Sequence, residues 1–269
     1  GESTPPEVPW RIGPYVADGA ITEIDGKIKI AGKTTFVSHM VAAVLDGADF
    51  LGEPTVKTSV VWLTEQPDTS LRPVLERAGL LERADIEILS YWDACHLPWP
   101  EIVAAAVQKA KEIGARLLVV DTLSQFAGFE GDTENNVGDA HRALKPLQIA
   151  AATHQVAVVI LRHEKKADAD VGDAARGSTA IGGAVDVILS LRRVSGMPPT
   201  VRRLLGLSRF SETPDDTCIE LTADGYVLAD VAGVKAAGTQ EKTAEQRRQL
   251  LAVLPTDPTA RRLVAELAT

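Results

Sequence analysis

The chain has 269 residues, 45% of them hydrophobic, which is enough for one large domain with a well-filled core and a small appendage. No uncharged apolar run approaches the roughly 20 residues of a membrane span, and the Pro-rich, polar N-terminus lacks the apolar core of a signal peptide. The formal net charge of −9 argues against a protein that wraps duplex DNA with its whole surface, and it confines any nucleic-acid binding to local basic loops.

We expect a cytoplasmic protein that does not bind membranes. Because the chain begins at Gly1 rather than at Met, we also expect it to be a piece of a longer protein. Its two cysteines, Cys95 and Cys218, do not have the spacing of a zinc site. We therefore predict two buried, reduced thiols.

The first two thirds of the chain alternate between apolar, β-rich runs and helical stretches. Uninterrupted apolar runs such as 117–120 and 156–161 are typical of strands buried on both faces of a parallel sheet. After an extended lead-in over residues 1–18, the predicted strands and helices, in order, cover residues 21–24, 34–45 (helix), 59–63, 71–84 (helix), 86–89, 100–113 (helix), 117–120, 137–154 (helix) and 156–161. Pro73 is tolerable only in the first turn of its helix.

From residue 185 onward the pattern changes to strands separated by short turns. The predicted strands cover residues 185–191, 201–207, 218–221 and 226–228, with a hairpin turn at Asp224-Gly225. The sequence therefore predicts an α/β fold in which a mainly parallel sheet, flanked by helices, carries an antiparallel C-terminal extension. Residues 232–242 are predicted to be a linker, and residues 243–269 a helical appendage. That appendage is either the start of a helix-turn-helix module or a plain packing element.

The run from Gly26 to Thr35 lies between the first predicted strand and its helix and has the form of a phosphate-binding loop. Such a loop aims backbone N–H groups and a helix N-terminus at phosphate oxygens. Lys33 would reach the β- and γ-phosphates, and the Thr34 hydroxyl would ligate Mg²⁺. Five residues rather than the standard four separate Gly26 from Gly32, so an ordinary loop with a chance Gly-Lys-Thr is the alternative. The predicted nucleotide-binding residues are Gly26, Ala31, Gly32, Lys33, Thr34 and Thr35.

Three further strands end in polar side chains. Asp121 closes an apolar strand in the form needed to hold the magnesium shell. Glu65 follows the strand after the P-loop helix, where a carboxylate can orient and deprotonate the attacking water. His163 ends a fourth strand and is suited to sensing the γ-phosphate. All lie at one edge of the inferred sheet, which together with the P-loop predicts a site for ATP and Mg²⁺.

With these residues in place, the chain resembles the RecA-like core of hexameric replicative helicases, most closely the plasmid RepA-type replication ATPases. The resemblance covers roughly residues 15–230. We predict that the RecA-like ATPase domain spans residues 19–231. The family often has two histidines where this chain has Arg162-His163. Besides the P-loop, the resemblance rests on the motifs Leu63-Thr-Glu65, Asp121-Thr-Leu-Ser, Gly131-Asp-Thr-Glu-Asn-Asn136, Arg162-His-Glu-Lys-Lys166 and Arg176-Gly-Ser-Thr-Ala-Ile181, followed by Val185-Asp186.

The resemblance implies a ring-shaped homo-oligomer, a hexamer, with ATP between subunits. It also implies a basic residue late in the sheet that reaches the neighbour's phosphates. The matching position is Arg209, after the strand at 201–207, and it is assigned a catalytic role with Lys33, Glu65 and His163. Arg176, Arg202 and Arg203 are its rivals.

Single-stranded DNA is the expected further partner, with Lys165, Lys166 and Arg176 as candidate contacts in segment 164–176. A mixed-charge solvated loop explains that segment equally well, as it does segment 126–136. The predicted function is Mg²⁺-dependent ATP hydrolysis by a DNA helicase or translocase of plasmid, phage or mobile-element replication. The alternatives are a RecA-like regulatory or recombination-mediator ATPase that does not unwind DNA, and a nucleotide-binding scaffold without hydrolysis.

Overall fold

A computed structural model describes residues 7–27, 31–129, 136–163 and 179–230, which form one large mixed sheet with helices on both faces. The strands are β1 (Trp10–Ile12), β2 (Val16–Ala17), β3 (Ile21–Gly26), β4 (Ser59–Thr64), β5 (Ile86–Ser90), β6 (Ala115–Asp121), β7 (Ala157–His163), β8 (Val187–Arg193), β9 (Val201–Ser208), β10 (Asp216–Thr222) and β11 (Gly225–Leu228). The helices are α1 (Lys33–Asp46), α2 (Asp68–Arg77), α3 (Tyr91–Ala94), α4 (Trp99–Ile113), α5 (Leu123–Phe126), α6 (Val137–His154) and α7 (Thr179–Gly182).

The main sheet has nine strands in the order β11-β10-β9-β8-β3-β7-β6-β4-β5. All pairings from β8 to β5 are parallel, whereas β9, β10 and β11 add to β8 as an antiparallel meander. The predicted fold class is therefore confirmed. In the described ranges no helix is both long and apolar enough to cross a bilayer.

Each face of the sheet carries its own apolar core because side chains alternate along a strand. On β4, Val60 and Trp62 pack into the core under α1 and α2, while Val61 and Leu63 pack into the core under α4 and α6. This two-sided burial explains why the central strands read as continuous apolar runs. Because β8, β3, β7, β6, β4 and β5 run parallel, their carboxyl ends lie together at one end of the sheet.

The helix predicted at 71–84 begins earlier and ends earlier, as α2. Pro67 precedes its first residue, and Gly79, whose φ is 70°, ends the helical path soon after Arg77. Pro73 lies in the middle of α2 rather than in its first turn, contrary to expectation. Its position is exposed, so the backbone carbonyl that loses a partner can face water.

Part of the predicted lead-in packs on the core. Residues 10–17 form the antiparallel pair β1 and β2, and Ile12 and Val16 are fully buried on the α1 side. Arg11 is buried with them and forms an ion pair with Asp18. The linker at 232–242 and the appendage at 243–269 lie outside the described residues.

Two smaller expectations were wrong. Thr222 pairs with Gly225, so the hairpin turn is formed by Ala223 and Asp224, one residue earlier than predicted. Cys95 is exposed rather than buried because it follows the short helix α3 at the surface, and Cys218 is partly buried on β10. Both thiols are free.

Candidate active site

The structure brings the predicted polar residues together at the carboxyl edge of the parallel strands. Gly26 at the end of β3 pairs with His163 at the end of β7. On the neighbouring strands, Thr64 pairs with Asp121, and the backbone N–H of Glu65 donates to the Asp121 carbonyl at 2.7 Å. Four separate stretches of sequence therefore converge on one site.

Two glycines permit the path of the predicted P-loop. A Cβ on Gly26 would lie 2.9 Å from the Leu191 carbonyl oxygen and 2.6 Å from the Ala31 Cβ, so a larger residue cannot fit. Gly32 precedes α1 with φ 80°, in the left-handed region that favours glycine. Residues 28–30, which hold the extra position of the motif, lie outside the described residues.

The N-terminus of α1 is open to an anion. Among the described residues, no side chain accepts a hydrogen bond from the first N–H groups of this helix. Counting from the start of α1, the first N–H group that forms a helical backbone hydrogen bond is that of Phe36, which donates to the Gly32 carbonyl at 2.9 Å. The N–H groups of the first turn, including that of Thr35, are therefore positioned as in a phosphate site, where the helix dipole favours negative charge.

Lys33 lies at the centre of the site and is almost fully buried. Its amino group donates to the Gly26 carbonyl at 3.0 Å and lies 3.0 Å from Nδ1 of His163. Burial lowers the pKa of Lys33, and burial followed by the Lys33 charge lowers the pKa of His163 to about 4. His163 is therefore neutral at pH 7. Because an ammonium group can only donate, Nδ1 of His163 accepts and Nε2 carries the ring proton.

Thr34 and Asp121 form a pair of oxygen donors beside Lys33. The Thr34 hydroxyl donates to Oδ2 of Asp121 at 2.9 Å, and Asp121 is only 2% exposed. Burial raises the pKa of Asp121 to about 7, an effect that the Thr34 hydrogen bond opposes. A nearby cation favours the charged form of a carboxyl group, so a bound metal ion would keep Asp121 ionised.

The chemistry of this pair fits magnesium. Mg²⁺ prefers hard oxygen ligands and is usually held by one or two carboxylates together with substrate phosphates. Over the described parts of the chain there is no cluster of three or more His, Cys, Asp or Glu side chains that could hold a metal unaided. Thr34 and Asp121 therefore suit an ion that is shared with a nucleotide.

Glu65 is held beside the same pair. Its Oε2 accepts a hydrogen bond from the Thr122 hydroxyl at 3.1 Å. Burial raises the pKa of Glu65, while the Thr122 hydrogen bond and the Lys33 charge oppose the increase. A partly buried carboxylate with a raised pKa, oriented by a neighbour, has the properties of a general base.

Arg162, which stands where the resembled family often has a histidine, does not face the phosphate site. Adjacent strand residues point to opposite faces, so Arg162 projects away from the face where His163 meets Lys33. Its Nε donates to Glu23 at 2.7 Å, and Asp25 lies 4.0 Å from its guanidinium. His163 is therefore the side chain of this pair that contacts the P-loop lysine.

Arg209 directly follows β9, at the amino-terminal end of the parallel strands, whereas its own P-loop lies at their carboxyl end. β9 runs antiparallel to β8, and Ser208 pairs with Val187, the first residue of β8. The guanidinium forms an ion pair with Asp186 at 3.3 Å and donates to the Gly183 carbonyl at 3.0 Å. The length of β3, about 20 Å at 3.3 Å per residue, separates Arg209 from the P-loop, so Arg209 cannot reach the phosphate site of its own chain.

Two rivals of Arg209, Arg202 and Arg203, lie within the described residues and have different environments. Arg202 is buried, and its Nε donates to the Ala31 carbonyl of the P-loop at 3.0 Å. Arg203 is exposed and pairs with Asp216 at 2.5 Å. Arg202 therefore contacts the P-loop of its own chain. Lys165, Lys166 and Arg176 lie outside the described residues.

Sequence reasoning missed Gln66 and Thr122, and it treated Arg202 only as a rival finger. Gln66 donates through Nε2 to both Thr34 and Asp121, and Thr122 orients Glu65. Both directly follow predicted site residues, which is the one signal in the sequence that could have found them. The contact between Arg202 and Ala31 spans 171 positions and leaves no local signal.

The chain matches the family model described as AAA domain over residues 1–169, more than half of its length and including all the strand ends of the site. Among curated proteins, none matches this chain. The crystal structure of the RadB recombinase is similar in fold, with a TM-score of 0.57 at 15% sequence identity, covering 80% of this chain and 93% of that one. The chain therefore belongs to the AAA domain family, and its fold is that of a RecA-like P-loop ATPase.

Proposed function

We propose that the protein hydrolyses ATP with magnesium. The observation that carries this proposal is the convergence of Lys33, Thr34, Asp121 and Glu65 on one site. Thr34 donates to Asp121, the N–H of Glu65 donates to the Asp121 carbonyl, and the Lys33 charge acts on both carboxyl groups. Each supplies a different part of the chemistry that phosphoryl transfer needs, namely positioning, charge neutralisation and activation of water. When bound, Mg²⁺ would neutralise the phosphate oxygens.

In this proposal the residues have separate roles. Lys33 and the N–H groups of the P-loop bind the phosphates, and Thr34 and Asp121 hold the ion. Glu65 accepts a proton from the attacking water while the water oxygen bonds to the γ-phosphorus and the bond to the leaving ADP oxygen breaks. His163 is neutral and accepts from Lys33, so it is placed to sense how strongly Lys33 binds the γ-phosphate.

We further propose a ring in which the site is completed by Arg209 of a neighbouring copy. Arg202 contacts the P-loop from within the same chain, but its Nε and Nη1 are occupied by backbone carbonyls. Arg209 lies at the far edge of its own sheet with a side chain 61% exposed. A head-to-tail contact that brings this edge to the next P-loop would close into a ring or continue as a filament.

The biological role that the motifs favour is a helicase or translocase acting on single-stranded DNA. The support is the resemblance to RepA-type replication ATPases and the position of Lys165 and Lys166 directly after His163 in the sequence. A loop that directly follows the γ-phosphate sensor can make the affinity for single-stranded DNA depend on whether the γ-phosphate is present. The second candidate is an ATPase that binds DNA without unwinding it, and the fold similarity to a recombinase, RadB, favours it.

ATP turnover measured with and without single-stranded DNA, beside a strand-displacement assay, separates these roles. Stimulated turnover with displacement supports the helicase, and stimulation without displacement supports the second candidate. Turnover that DNA leaves unchanged contradicts both.

A double variant tests the DNA contact itself. Replacing Lys165 and Lys166 by Ala should flatten the salt dependence of DNA binding by about one to two units of log–log slope. The same change at Lys109 and Lys111, both on α4, is the matched control.

A further inference from the structure

Gln66 is the residue at this site whose role the proposed chemistry does not use. It directly follows Glu65 after β4. Its Nε2 lies 2.6 Å from Oγ1 of Thr34 and 3.3 Å from Oδ2 of Asp121. The Thr34 hydroxyl gives its proton to Asp121, so both atoms that face Gln66 are acceptors. The amide nitrogen, rather than the amide oxygen, is therefore the end of Gln66 that faces them.

These two oxygens are also the ones that suit a divalent cation. Oδ2 of Asp121 accepts from both Thr34 and Gln66, so both of its lone pairs are already used, and a positive ion would repel the partial positive charge of the amide hydrogens. We propose that Gln66 competes with the divalent cation for Thr34 and Asp121, so that loading the ion requires these amide hydrogen bonds to break. This inference rests on the proposed function of the site.

The competition makes Gln66 a positioning residue that sets cation affinity. A purely structural brace predicts the opposite effect, because a side chain that only ordered Thr34 and Asp121 would improve their binding of the ion. The two accounts therefore differ in the sign of the change when the amide is removed. Gln66 is partly exposed at a strand end, so its replacement leaves both cores intact.

Gln66→Met keeps the length of the side chain and removes its donors. The readout is the Mn²⁺ concentration that half-saturates the ADP-bound protein, followed by loss of the free-ion EPR signal, which needs no turnover. We expect this concentration to fall about 2- to 10-fold in Gln66→Met, the scale of one net hydrogen bond. Gln66→Ala should change it in the same direction. Gln108→Met, on the exposed face of α4, is the matched control and should leave it unchanged.

An unchanged or higher half-saturating concentration in both Gln66 variants, with wild-type binding intact, overturns the competition alone. Failure of the wild-type protein to bind ADP at any cation concentration overturns the proposed function and this inference with it. Thermal unfolding without cation shows whether each variant is folded.

Discussion

The amino group of Lys33 lies 3.0 Å from Nδ1 of His163, across 130 positions of sequence, and the two side chains form one unit at the end of β3 and β7. Neutral His163 accepts from Lys33 on one side, while the Gly26 carbonyl accepts on the other. The lysine predicted to bind phosphate is thus held in place by the residue predicted to sense it.

The first prediction concerns pH and His163. Its pKa is lowered to about 4 in the folded protein, against about 6.5 for an unperturbed histidine. Between these values the unfolded chain binds more protons, so this residue makes stability fall as the pH falls from about 6.5 towards 4. His163→Gln should show a shallower loss of unfolding free energy over this range.

Denaturant unfolding at a series of pH values measures the difference. His96→Gln, at an exposed position, is the matched control. Equal slopes for His163→Gln and the wild-type protein would contradict the neutral, partly buried state of His163.

The second prediction concerns Arg202, which connects the antiparallel extension to the P-loop. Arg202→Ala leaves the Ala31 carbonyl without this donor. The unmade bond to a buried acceptor costs about 1–3 kcal/mol. Because this cost falls on the loop conformation that binds the phosphates, the affinity for ADP should fall about 5- to 150-fold. Arg202→Lys, which keeps a cationic donor, should lose less.

Arg203→Ala provides the control because Arg203 is the next residue, is exposed and pairs with Asp216 instead. Calorimetric titration with ADP gives the affinities. If Arg202→Ala and Arg203→Ala bind ADP equally well, Arg202 does not position the loop.

The ends of the parallel strands are the part of the site that the sequence predicts best. Glu65, Asp121 and His163 each follow an apolar strand, and parallel strands present their carboxyl ends at one edge, so local patterns predicted that they converge. Helix α6 has the predicted bounds, and Asn136 caps its N-terminus, but the interruption expected at Pro146 was wrong because the helix runs continuously through that residue.

The contacts that a sequence pattern cannot predict are those that depend on register between distant strands. Arg202 meets Ala31 because β9 returns antiparallel beside β8, and no local property of residue 202 indicates this. Arg162 stands where the resembled family often has a histidine. Only the strand pleat, which turns it towards Glu23, separates its role from that of His163.

The third prediction concerns the shared site. Arg209→Ala should leave ATP binding nearly intact and reduce hydrolysis by about 10³-fold or more, the scale of an arginine finger supplied in trans. Mixing it with Lys33→Ala should restore part of the turnover, because a mixed interface can pair an intact P-loop with an intact Arg209. Arg203→Ala mixed with Lys33→Ala is the control. Hydrolysis by a monomeric sample that is insensitive to Arg209→Ala would refute the shared site.

The fourth prediction separates binding from chemistry at the P-loop and the proposed base. Lys33→Ala removes the amino group that faces the phosphates, so it should weaken nucleotide binding and abolish turnover. Glu65→Gln keeps the shape of the side chain and removes its basicity, so ATP should still bind. Glu101→Gln, on the exposed first turn of α4, is the matched control.

Steady-state phosphate release by Glu65→Gln, at ATP concentrations shown by direct binding to saturate the variant, is the most direct test of magnesium-dependent hydrolysis at this site. We expect ATP affinity close to that of the wild-type protein and a rate lower by roughly 10²-fold or more, the usual scale for the loss of a general base. Turnover near the wild-type rate would contradict the assignment of Glu65 and the mechanism built on it.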